Sequence, residues 1–173
     1  MKLKRYIALL GLLLMLGIIA QFVINESKTI EAKIEEQILK KDNTFKELVH
    51  FDIRNDKIYS FYKNRIYDNL DGLGMGIIEE DRKMITHILG GIPIYSNTGF
   101  TYGTGESKEI NEFIIYGTIT NPEITKIEVN GSDCDIIRAK DFDLWYYFAD
   151  DSSSRISILA KDKNGKVILE EVL

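Results

Sequence analysis

Glu112-Phe113-Ile114-Ile115-Tyr116-Gly117-Thr118-Ile119-Thr120 is followed by Asn121-Pro122, and Ile124-Thr125-Lys126-Ile127-Glu128-Val129 is followed by Asn130-Gly131. The first run is rich in β-branched and aromatic residues, which suit a pleated, packed surface. Pro122 lacks an N–H and restrains Asn121 before it, so that strand ends there. Asn-Gly after the second run is a strong signal for a two-residue hairpin turn. Strand, break, strand and tight turn together predict antiparallel β structure.

The same grammar continues toward the C-terminus. Cys134–Ala139, Leu144–Ala149, Arg155–Lys161 and Lys166–Val172 read as further strands, and Asn164-Gly165 as a second hairpin turn of the same kind. Six short strands at roughly ten-residue spacing predict a small β-sandwich over residues 110–173. Upstream, Gly90–Glu109 holds five glycines among Ser, Thr and Asn. It reads as a Gly-rich join between two halves, with room for a short strand near Pro93–Tyr95.

The first half reads as a helix and a four-strand meander over residues 25–89. Ile30, Ile34 and Ile38 recur every fourth position, with Leu39 widening the stripe, and Glu36 and Lys40 form an i,i+4 pair. An amphipathic helix from Asn25 to about Lys41 is expected, packed on the sheet. Val49, Phe51 and Ile53 then alternate with Leu48, His50 and Asp52, so one apolar face should turn inward and His50 outward. Lys57–Tyr67, Leu73–Glu79 and Lys83–Leu89 follow, separated by turns at Asn55-Asp56, Asp71-Gly72 and Glu79–Arg82. The predicted class is α+β.

The chain opens on Lys2, Lys4 and Arg5, and no charged residue interrupts Tyr6–Ile24. As a helix those residues reach about 28 Å, which just spans a hydrocarbon core. Residues 1–24 are therefore expected to be an uncleaved signal anchor with the N-terminus cytoplasmic and the rest outside. The alternative is a cleaved signal peptide and a secreted chain. Its best site follows Ala20, but Ile18 at the −3 position fits poorly. With no Gly or Pro between Asn25 and Phe45, the anchor helix is expected to run on into the amphipathic one. No cysteine ends the apolar run, so a lipid anchor is not expected.

The whole chain carries 22 basic and 27 acidic residues. Setting aside Lys2, Lys4 and Arg5 leaves 19 against 27, a net of −8 on the external part. That balance disfavours nucleic acid and anionic polymers as partners.

The order Tyr116-Gly117-Thr118-Ile119, Asn121-Pro122-Glu123-Ile124, Ile127-Glu128-Val129, Ile136-Ile137-Arg138-Ala139, Leu144-Trp145-Tyr146 and Asp162–Ile168 resembles a group of small membrane-anchored extracytoplasmic proteins of spore-forming Gram-positive bacteria. The likeness extends to Phe51–Tyr62 and Leu73–Ile78. It implies architecture and location. The group has no assigned activity, so it implies no catalytic residue.

Candidate chemistry is sparse. His50 and His87 stand apart from each other and from any metal-ligand pattern. Cys134 lies between Asp133 and Asp135, which oppose the lowered pKa a reactive thiol requires. Ser152–Ser154 forms no nucleophile motif. Gly72-Leu73-Gly74-Met75-Gly76 and Gly103-Thr104-Gly105 lack the helix and Lys-Ser/Thr of a phosphate loop, and glycine within a strand marks a bulge or a close backbone approach.

Asp141, Asp143, Asp150 and Asp151 are the weak candidates for a calcium site, with a solvated acidic rim as the plainer reading. No cofactor is expected. Tyr95, Phe100, Tyr102 and Trp145 are the candidate contact surface, with burial in the join between the two halves as the equal alternative. The leading expectation is a tethered, non-catalytic binding module of the cell envelope that engages another envelope protein or a ligand. A hydrolase acting through carboxylates and a calcium-stabilised structural module are the alternatives.

Overall fold

The computed structural model describes residues 28–66, 70–79, 85–107, 111–149 and 155–173. The chain divides into two compact units, Met1–Ile34 and Glu35–Leu173. The predicted membrane segment, residues 6–24, lies outside the described residues. Among the described residues, no helix is long and apolar enough to cross a membrane.

Helix α1 covers Ile30–Leu39. Lys28 and Thr29 precede it in non-helical conformation, and the Thr29 hydroxyl accepts from the Ala32 amide at 3.3 Å. This is an N-cap. It corrects the expectation of one helix running on from Ile24, because the backbone leaves helical geometry before Ile30. Ile34 and Ile38 are fully buried, whereas Ile30 and Leu39 are exposed, so the apolar stripe is narrower than its sequence pattern. The Glu36–Lys40 pair forms at 3.1 Å.

The first sheet is a meander of β1 (Phe45–Arg54), β2 (Lys57–Ile66), β3 (Leu70–Glu79) and β4 (Ile85–Pro93), paired in that order. Asn55 and Asp56 both take positive φ, 49° and 61°, and pair Arg54 with Lys57 across a two-residue turn. Along β3, Leu73, Met75 and Ile77 enter the core, while Gly72, Gly74 and Gly76 lie opposite Asn64, Tyr62 and Ser60. A Cβ on Gly74 would stand 2.5 Å from the Tyr62 ring, so the glycines admit those side chains over the strand. The connection after α1 fastens the same face. Asp42 accepts from the Tyr62 hydroxyl at 3.0 Å and the Asn64 amide at 3.2 Å. Burial alone would raise the Asp42 carboxyl, but these bonds and two from Thr44 outweigh it and hold the group below its ordinary range.

Strand β1 departs from its expected facing after Val49, which itself packs against the core as expected. Leu48 pairs with Tyr62 but His50 pairs with Phe61, so Val49 is the extra residue of a bulge. The bulge shifts the alternation, and His50, Asp52 and Arg54 turn toward Tyr146 and Phe148 while Ile53 is exposed. A one-residue slip inverts both faces of a strand, and the alternation pattern alone does not reveal it.

The remaining strands form two more sheets. One runs β5-β6-β10-β9, from β5 (Phe100–Ser107), β6 (Glu112–Ile119), β9 (Asp135–Arg138) and β10 (Asp143–Ala149). The other runs β12-β11-β7-β8, from β7 (Lys126–Val129), β8 (Ser132–Asp133), β11 (Ser157–Lys161) and β12 (Val167–Val172). The Gly-rich run expected as a join is mostly strand, which corrects that reading. β4 continues to Pro93, and β5 pairs with β6 from Phe100 to Ser107. Gly103 and Gly105 are there because β4 crosses β5 closely. A Cβ at either position would meet Ile92 at 2.4 Å or Leu89 at 3.0 Å.

The β5-β6-β10-β9 sheet is the middle layer. On one face Ile114, Tyr116, Leu144 and Tyr146 pack with Tyr59, Phe61, Leu73 and Met75 of the meander. On the other, Ile115, Ile119 and Trp145 pack with Ile127, Val129, Ile158 and Ala160 of the third sheet. Burial on both faces explains the nearly unbroken apolar runs of β6 and β10. The Asn130-Gly131 turn has φ of 50° and 80°, as a two-residue hairpin requires. Asn164-Gly165 is not of that kind. Only Gly165 has positive φ, and Asp162 Oδ1 accepts from the Asn164 and Lys166 amides in a longer loop.

Candidate functional site

The four aromatics expected at a contact surface separate. Tyr95 is exposed, and Tyr102 is half-buried with its hydroxyl 3.2 Å from Glu171 on β12. Phe100 and Trp145 are core residues, which corrects their assignment to a surface. Their rings stack at 5.4 Å and 9° between the middle and third sheets, and the Trp145 indole donates to the Thr101 carbonyl at 3.3 Å. Alternation puts Trp145 toward the third sheet and its neighbours Leu144 and Tyr146 toward the meander, and all three are buried.

Of the candidate carboxylates, the described residues include Asp141 and Asp143, and each is engaged by a cation. Asp141 accepts from Lys63 Nζ at 2.8 Å, and Asp143 lies 3.6 Å from Arg138. Asp150 and Asp151 lie outside the described residues. Among the described residues, no three His, Cys, Asp or Glu side chains are grouped to hold a metal ion. Lys63 also reaches Glu47 at 2.7 Å and lies 5.7 Å from the Phe142 ring, tying β1 and β2 to the β9–β10 turn. The Lys63 ammonium holds the Asp141 carboxyl below its ordinary range, the opposite of what a general acid needs.

Cys134 is half-buried, and burial with its aspartate neighbours pushes the thiol up to about 12. It is therefore unreactive at neutral pH. His87 Nε2 stands 3.9 Å from Glu79. His50 joins a mixed cluster with Tyr146, Asp52 and Arg54 at the margin between the meander and the middle sheet.

What the fold does build is a cleft of about 450 Å³. One wall is the β6–β7 connection, with Asn121, Pro122 and Thr125. The other is β9 and its turn, with Ile136, Arg138, Lys140 and Phe142. Both walls are fixed locally. The Thr120 and Asn121 amides donate to the Gly99 carbonyl at 2.8 and 3.0 Å, and Asn121 Oδ1 accepts from the Glu123 amide at 3.0 Å. Ile124 is buried and pins the connection to the core of the third sheet. Across the cleft the Ala139 amide donates to the Phe142 carbonyl at 3.0 Å, and the Lys63–Asp141 bond holds the turn from behind. The surface is mixed, with apolar Pro122, Ile136 and Phe142 beside Arg138 and Lys140. A few polar groups around an apolar floor suit recognition. Pro122 was legible in the sequence as a strand breaker. The cleft itself has no sequence signal, because its walls are 11 or more positions apart and meet only through sheet pairing.

No protein-family model, no curated protein and no solved structure matches the chain.

Proposed function

We propose that the chain is a non-catalytic binding module, tethered by residues 6–24 to the outer side of a cell membrane, and that the cleft between the β6–β7 connection and the β9–β10 turn engages another envelope protein or a ligand. The cleft is the observation that carries the binding reading. It is open, chemically mixed and braced on both sides by hydrogen bonds that do not depend on an occupant. The basic start followed by the uncharged run Tyr6–Ile24 supports the tether and its orientation. The resemblance to membrane-anchored extracytoplasmic proteins points the same way. A carboxylate hydrolase finds less support, because the two aspartates lining the cleft are engaged by Lys63 and Arg138.

Deleting the Gly-rich run does not test this reading, since it removes β5 and with it an edge of the middle sheet. Photo-crosslinking in intact cells does. A photoreactive residue at Lys140 or Thr125 is expected to give a discrete adduct. The same residue at Glu170, exposed on β12, is expected to give none. Equal labelling from all three positions, or none from any, would refute the assignment of the cleft.

A further inference from the structure

His50 occupies an unusual place for a strand residue that the bulge has turned inward. Its ring lies 6.4 Å from Phe61 at 18° and 5.9 Å from Tyr146 at 28°, while Phe61 and Tyr146 stack on each other at 4.8 Å. Three rings thus bridge β1 and β2 of the meander to β10 of the middle sheet. Nε2 lies 3.4 Å from the Tyr146 hydroxyl, which is also 3.5 Å from Asp52 Oδ2. Both contacts are long. We propose that this stack is an acid-sensitive latch: neutral His50 holds the β1 edge against the middle sheet, and protonation of the ring releases it.

The sign depends on which groups face the ring. From β1 itself these are Asp52 and Arg54, from β2 Phe61, from β9 Asp135, and from β10 Tyr146 and Phe148. Asp52 would favour an imidazolium, but Arg54 Nε lies 2.7 Å from its Oδ2 and balances that charge. Arg54 itself rests 4.0 Å over the Phe148 ring, so it is held in place. Asp135 is exposed, and water screens it. The aromatic faces offer a cation only a marginal contact, because the Phe61 centroid at 6.4 Å lies beyond the roughly 6 Å reach of a cation–π contact and the Tyr146 centroid at 5.9 Å lies at its limit. Tyr146 supplies a neutral hydroxyl, since burial pushes its phenol up to about 12. What remains is loss of hydration, and it moves the His50 ring below its ordinary value against the smaller pull of Asp52 and Asp135.

The consequence for stability follows from proton counting. With its midpoint lowered by folding, His50 binds fewer protons in the folded chain than in the unfolded one. The stability it contributes is full above about pH 6.5 and is lost as the pH falls from there through the lowered midpoint. The loss is local. Glu47–Lys63–Asp141 still ties the other end of β1, so the segment that loosens is Val49–Ile53.

Hydrogen exchange of the full chain at about pH 7.5 and about pH 5, corrected for intrinsic rates, tests this. Protection of the Val49–Ile53 amides is expected to fall about tenfold on acidification relative to the β11 amides. In His50→Phe, which keeps a ring but cannot titrate, the fall should disappear. His50→Gln, which keeps a polar group for Tyr146, should behave the same way and serves if the phenylalanine variant does not fold. A parallel fall in β1 and β11, or a fall that survives in both variants, would overturn the latch. So would a His50 ring titrating at or above about 6.5 in the folded wild type.

Discussion

Gly117→Ala is expected to lower the urea midpoint of the chain sharply, at a cost of about 3 kcal/mol or more. Gly117 lies in the middle of β6, between Tyr102 on β5 and Trp145 on β10. A Cβ there would stand 1.9 Å from the Thr101 carbonyl oxygen and 2.5 Å from Trp145 Nε1. The first obstacle is the backbone of a paired strand and cannot swing aside. The second is a ring fixed by stacking on Phe100. Relief therefore requires β5 and β6 to part in the layer that serves both cores. Equilibrium unfolding in urea measures the effect. A loss below about 1 kcal/mol would mean that the two strands are further apart than described.

Trp145→Ala is expected to cost about 3–5 kcal/mol, a large share of the roughly 5–15 kcal/mol that holds a domain of this size together. The side chain is fully buried in the core between the middle and third sheets. Its removal leaves a cavity lined by Phe100, Ile115 and Ile158, and deprives the buried Thr101 carbonyl of its indole donor. Urea unfolding again gives the number. Trp145→Phe, which restores most of the packing but not the N–H, should recover more than half of the loss. If Trp145→Ala changes the midpoint little, Trp145 is the exposed contact residue that the strand's alternation allowed and not a core residue.

Much of the fold was written in local signals. The period-two runs, the Asn55-Asp56 and Asn130-Gly131 turns and the break at Pro122 placed nearly every strand, because each depends on neighbours in sequence. The failures share a cause of another kind. Glycine is depleted in strands, so Gly90–Glu109 read as loop, yet Gly103 and Gly105 are strand residues that let Ile92 and Leu89 of β4 cross β5. His50 and Asp52 read as solvent-facing because one inserted residue, Val49, shifts the facing of the residues that follow it. Trp145 read as a surface candidate because alternation implies one wet face, and β10 packs on a core through both of its faces. Each error required knowing what packs on a strand from elsewhere in the chain. The cleft was illegible for the same reason: its walls come from different parts of the sequence, and Lys63, which braces one of them, comes from the meander.

The shared middle sheet ties these observations together. β6 and β10 give alternate residues to two cores, so neither the meander nor the third sheet keeps a packed face without them. Urea unfolding of the full chain, followed at once by Trp145 fluorescence and by NMR signals from Leu73 and Met75, tests that arrangement most directly. Trp145 is the only tryptophan and reports on the core against the third sheet, while Leu73 and Met75 report on the core against the meander. The transitions are expected to coincide, as one cooperative unit requires. Two separated transitions, with the Trp145 signal intact after Leu73 and Met75 have unfolded, would contradict a sheet held in common.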